Sequence, residues 1–75
     1  MPELPKVSGR KTVKAVERLG FRQAPQRGSH VVMVRDTPQG KVGCAVPLHR
    51  ELTLGTLRGI LRQAKLGLDE FVKAL

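Results

Sequence analysis

One cysteine, Cys44, in 75 residues means that no internal disulfide can brace this fold. A chain this short buries only about 60–65% of its unfolded surface, and its core supplies about 3–5 kcal/mol of net stability. The whole structure must rest on one apolar core. The material is present: 22 of the 75 residues are Val, Leu, Ile or Phe, above the fraction of roughly 20% below which charged chains stay disordered. The expectation is one domain over residues 1–75, with any chemistry on its surface. Met1–Lys6 lacks the apolar stretch of a signal peptide, and Val31–Val34 is far too short to span a membrane. Unpaired cysteine and no leader together point to a cytoplasmic protein without membrane contact.

Local patterning predicts the order α-β-β-β-α with a short C-terminal helix. Residues 1–7 carry Pro2 and Pro5 and read as extended. Ser8 suits an N-cap, Val13, Val16 and Leu19 recur at helical spacing, and Gly20 suits a left-handed C-cap, so a first helix is expected over 9–19. Residues 21–27 read as an edge strand because of Pro25. His30–Arg35 is rich in β-branched residues, and Lys41–Val46 alternates. Pro38 and Gly40 suit the second and fourth places of the turn between them. Thr53 suits the N-cap of a helix expected over about 53–65, whose Leu54, Leu57, Leu61 and Ala64 form a stripe, with Gly67 as its stop. Asp69–Leu75 reads as the last helix. The fold class is α+β: a three-stranded antiparallel sheet with helices on one face.

Charge indicates what the surface meets. The formal net charge is +8, and residues 1–50 carry ten basic against three acidic side chains, a net of +7. That footprint suits a polyanion, nucleic acid first. Spacings of three and four place Arg10, Lys11, Lys14 and Arg18 on one side of the first helix. The only aromatic residues are Phe21 and Phe71. A single-strand binder that stacks bases needs several exposed rings, so contacts must be mainly to phosphate and sugar.

The inventory for catalysis is small. His30, Cys44 and His49 match no metal-ligand spacing, so no metal or other cofactor is expected. Cys44 is in phase with Val42 and Val46 and reads as an inert core thiol. His30 follows Gly28-Ser29 and opens the central strand, with Arg27 before it and Arg35 at its far end. An imidazole there can exchange protons with a ribose hydroxyl or a leaving oxygen, while cations stabilise charge at phosphorus. It can equally be an exposed turn residue with no role, and His49 is open to the same two readings. Strand phase bears on this. With Val31 and Met33 facing the helices, His30, Val32 and Val34 share the outer face; the opposite phase draws His30 inward. The first phase is favoured.

Three segments together resemble a known family. Pro5-Lys6-Val7-Ser8-Gly9-Arg10 opens the first helix, which runs out into Leu19-Gly20-Phe21. Arg27-Gly28-Ser29-His30 follows, and then Val46-Pro47-Leu48-His49-Arg50-Glu51-Leu52 and Gly55-Thr56-Leu57-Arg58-Gly59-Ile60-Leu61-Arg62-Gln63-Ala64. Over about residues 5–72 the chain resembles the HicA (YcfA-like) mRNA interferase toxins of bacterial toxin–antitoxin systems. The resemblance implies a double-stranded-RNA-binding-domain-like fold and metal-independent cleavage of mRNA, with His30 as the catalytic residue. It also implies a HicB-type antitoxin that masks the site. Many relatives have a second His where this chain has Val31, and an aromatic residue where it has Met33. The last main helix opens on Thr53-Leu54-Gly55-Thr56, with no cation before Arg58, so phosphate contacts are expected from the first helix and the sheet.

The expected RNA-binding residues are Lys11, Lys14, Arg27, Gly28, Ser29, Arg35 and Lys41, with Arg10 and Arg18 as a wider electrostatic track. Ser29 can bond the scissile phosphate or only shape its turn, and the turn is favoured. Val32 and Val34 are the expected antitoxin-binding residues. The rival functions are a non-catalytic RNA-binding module of the same fold and a protein-interaction module whose basic face meets an acidic partner.

Overall fold

The structure is a computed structural model that describes residues 6–25 and 28–75. The elements run α1 (Gly9–Arg18), β1 (Arg22–Gln23), β2 (His30–Thr37), β3 (Gly40–Pro47), α2 (Leu54–Ala64) and α3 (Leu68–Ala74). The sheet is antiparallel in the order β1-β2-β3. This α+β arrangement of helix, three-stranded meander and helices is consistent with the double-stranded-RNA-binding-domain-like fold.

Each boundary has a local cause. The Ser8 hydroxyl accepts the Lys11 amide at 3.1 Å and starts α1. At its other end the Gly20 amide bonds the Glu17 carbonyl at 3.0 Å and the Phe21 amide bonds the Val16 carbonyl at 3.2 Å, a paired closure made possible by Gly20 at φ +96°. Thr53 accepts the Thr56 amide at 3.2 Å and starts α2. That helix ends at Ala64, within one residue of the expected end and ahead of Gly67. Lys65 adopts the left-handed conformation at φ 55°, and the amides of Lys65 and Leu66 close back onto Arg62 and Leu61. Burial of Leu66 fixes the chain there, and Gly67 becomes the N-cap of α3.

The first strand is shorter than predicted. Only Arg22 and Gln23 pair, opposite Val34 and Met33, and the Ala24 amide adds one bond to the Val32 carbonyl at 2.8 Å. Pro25 has no amide to continue the ladder. Residues 1–5 and 26–27 lie outside the described residues, and with them most of the expected extended N-terminal segment. In β2–β3 the register closes on Thr37↔Gly40 around Pro38-Gln39, as the turn chemistry predicts.

Strand phase follows the favoured reading. Val31 and Met33 of β2 are buried with Cys44 and Val46 of β3 against Val13 and Val16 of α1 and Leu57, Ile60 and Leu61 of α2. Phe71 of α3 is fully buried and completes the core. Burial pushes the Cys44 thiol up to about 11, which keeps it protonated and inert near neutral pH. Among the described residues no helix is long and apolar enough to cross a membrane.

Candidate functional site

Three segments far apart in sequence meet at one corner. The Leu52 amide bonds the Val7 carbonyl at 2.8 Å, the Gly9 amide bonds the His49 carbonyl at 2.9 Å, and the Leu48 amide bonds the Ser29 carbonyl at 2.9 Å. The start of α1, the turn before β2 and the segment after β3 are thereby tied through main-chain bonds. These are the segments that carry the three sequence motifs. Sequence patterning singles out none of these cross-links.

Gly9 makes the junction possible. A Cβ built at this position stands 2.9 Å from the Leu48 Cα and nearer still to the Pro47 carbonyl oxygen. Both are backbone atoms and cannot rotate away. In the sequence Gly9 reads only as the first residue of α1, because a glycine at that position is also compatible with an ordinary helix start.

His30 is the first residue of β2, pairs with Pro47 and is exposed on the outer face of the sheet. Gly28 precedes it at φ +83°, and among the described residues nothing lies within 4 Å of where a Cβ would stand. Backbone conformation therefore favours glycine there. The Ser29 side chain is exposed and its carbonyl is held by Leu48. His49 is exposed at the same corner. Among the described residues no three His, Cys, Asp or Glu side chains gather as a metal-ligand set.

The predicted cations separate into three groups. Arg10 and Lys14 line a groove of about 350 Å³ beside the corner, with Val13, Val31 and Leu48. Lys11, Lys14 and Arg18 line a second groove of about 450 Å³ with Lys6 and Leu75. Helix α1 thus reaches the corner through Arg10 and Lys14, whose groove includes Val31 and Leu48 but not the His30 side chain on the other face of the sheet, and Arg18 also donates to the Ala74 carbonyl at 2.6 Å. Lys41 belongs to the other end of the sheet. It pairs with Asp36, six residues from His30, which is about 20 Å along a strand.

Arg35 does not come to His30. The five-residue offset places it on the opposite, helix-covered face. Its guanidinium stacks 4.9 Å from the Phe21 ring centroid and donates to the Leu19 carbonyl at 3.1 Å. It ties the end of α1 to the sheet, so the expectation of a phosphate contact near His30 has no geometric support. Arg27 lies outside the described residues.

Beside His30 the outer face is apolar. Val32 is 37% exposed, Val34 is half-buried, and Ala45 and Gly43 stand opposite them. The corner therefore combines a solvent-facing imidazole with an uncovered apolar strip, and the groove of Arg10 and Lys14 adjoins it at Val31 and Leu48.

Comparison with known proteins adds one finding. The family model described as the HicA toxin of bacterial toxin–antitoxin matches residues 9–66. The matched span holds His30, His49 and the α1 cations from Arg10 to Arg18. No curated protein matches the chain.

Proposed function

We propose that this chain, which belongs to the HicA toxin family of bacterial toxin–antitoxin systems, is a metal-independent endoribonuclease that cleaves mRNA in the cytoplasm and is neutralised by a HicB-type antitoxin. The observation that carries the reading is the exposed His30 at the corner where the three motifs meet, with the groove of Arg10 and Lys14 reaching Val31 and Leu48 of that corner.

The chemistry follows from the groups present. RNA carries its own nucleophile, the 2′-hydroxyl next to each phosphate. An imidazole that assists proton transfer contributes about 10²–10⁴ in rate. Ammonium and guanidinium groups stabilise the charge that builds on the phosphoryl oxygens. The products are a 2′,3′-cyclic phosphate and a 5′-hydroxyl. Single-stranded oligoribonucleotide should be cleaved in EDTA, and its 2′-O-methyl counterpart and DNA of the same sequence should remain intact. Binding of RNA without cleavage would contradict the reading and favour a binding module.

Lys11 and Lys14 serve as phosphate contacts of α1 in this reading. Affinity for RNA should fall log-linearly with salt. Replacing both by alanine should weaken binding. It should also reduce the slope by about 0.7 units for each phosphate of single-stranded RNA that is no longer neutralised. An unchanged slope would take α1 off the RNA path.

The antitoxin is proposed to cover Val32 and Val34 together with the basic corner. Apolar burial would supply affinity and carboxylates would supply steering. Val32→Asp places a charge in the exposed strip without touching the core. It should lower the melting temperature by no more than about 8 °C, the cost of a poor strand former in the central strand, and weaken the complex by about tenfold or more. Normal antitoxin binding by this variant would place the interface elsewhere.

A further inference from the structure

The corner holds both histidines of the chain, His30 and His49. They come from opposite sides of the β2–β3 ladder. Pro47 is the register partner of His30, and His49 lies two residues beyond it. An antiparallel pair separates the two Cα atoms by at most about 5.5 Å, and two residues add about 7 Å. The Cα atoms of the two histidines are therefore no more than about 13 Å apart, a span that two imidazoles can bridge around one phosphate. The arrangement is fixed on both sides. The Leu48 amide holds the Ser29 carbonyl at 2.9 Å, and the His49 carbonyl is held by the Gly9 amide at 2.9 Å. Both side chains are exposed.

We propose that His49 is the second acid–base group of the site and protonates the leaving 5′-oxygen, while His30 takes the proton of the 2′-hydroxyl. The proposal rests on the nuclease reading and deepens it. The attacking and leaving oxygens of phosphoryl transfer are roughly in line, on opposite sides of phosphorus. One imidazole at one apex does not serve both. In the balanced step, the 2′-oxygen forms its bond to phosphorus as its proton passes to the neutral imidazole of His30. The bond from phosphorus to the 5′-oxygen breaks as that oxygen takes a proton from the imidazolium of His49. The products are the cyclic phosphate and a 5′-hydroxyl, with His30 left protonated and His49 neutral. A proton exchange with water restores both. The cations of the adjoining groove, Arg10 and Lys14, are suited to holding charge, whereas imidazole passes protons near neutral pH.

The test separates the two roles by leaving group. The cleaved linkage is first mapped on an unmodified oligoribonucleotide. A second oligonucleotide then carries a single bridging sulfur in place of the 5′-oxygen at that linkage. A thiolate leaves without a proton and needs no general acid. His49→Ala removes only an exposed side chain and keeps the main-chain bond to Gly9. It is expected to slow cleavage of the oxygen linkage by about 10²–10⁴, but that of the sulfur linkage by no more than about threefold. His30→Ala is expected to slow both. An equal loss on the two linkages in His49→Ala, or no loss on either, would overturn the assignment. If the wild type cleaves neither linkage, the nuclease reading falls and this assignment falls with it. If His30→Ala is impaired while His49→Ala is indistinguishable from wild type, only the assignment falls.

Discussion

Gly9→Ala is expected to lower the melting temperature by about 10–20 °C, corresponding to about 2–3 kcal/mol. The added methyl meets the Pro47 carbonyl and the Leu48 Cα, both of them backbone. Helix α1 must move off the end of β3 or the Pro47–His49 segment must yield. Either shift strains the bond from the Gly9 amide to the His49 carbonyl. The core of so small a domain supplies about 3–5 kcal/mol of net stability, so roughly 40% or more of it is at stake. Gly59→Ala is the natural control. It lies inside α2 with nothing within 4 Å of a new Cβ, and alanine in a helix interior is favoured by about 0.5–1 kcal/mol. The same chemical change should thus raise stability at Gly59 and lower it at Gly9. Thermal denaturation of the two variants beside the wild type reads both signs. A Gly9→Ala variant as stable as the wild type would mean that the junction is looser than its backbone contacts indicate.

The same junction shows which parts of the molecule its sequence makes legible. Ser8, Thr53 and Gly20 announce helix ends because their chemistry acts within one turn of chain, and each does so in the structure. The alternation of Val31 and Met33 with Val32 and Val34 gives the phase of β2 for the same reason: its period is local. Lys65 misleads, because a left-handed stop is usually glycine and its cause here is tertiary, the burial of Leu66. Arg35 misleads in another way. Its charge suggests phosphate, but its partners are the Leu19 carbonyl and the Phe21 ring, which become neighbours only when α1 docks on the sheet. Gly9 carries its meaning across the chain to Pro47, a contact that no local pattern announces. The position of His30 is legible from its strand, and that of His49 beside it only from the register Pro47↔His30.

The electrostatics of the site have the same character. The α1 cations are a local stripe and are read directly from spacing. Lys41 shares the outer face with His30 in register, but at the far end of the hairpin. Sequence counts it as a neighbour because both flank the same strand pair; the eight-residue length of β2 separates them. A role for Lys41 on the RNA would belong to a more distant part of the strand than the linkage being cut.

The central claim is that His30 performs proton transfer in RNA cleavage without a metal. It is tested most directly with purified His30→Ala beside the wild type, in EDTA, on one oligoribonucleotide. His30 is exposed and its removal opens no cavity, so the variant should keep the wild-type melting temperature within about 2 °C. It should bind RNA nearly as well, because the α1 cations remain. Its cleavage should fall by about 10²–10⁴, the contribution of a positioned acid–base group. The wild type should leave a 2′,3′-cyclic phosphate or the monophosphate formed from it. A folded His30→Ala protein that cuts the same linkage at the wild-type rate would contradict the account.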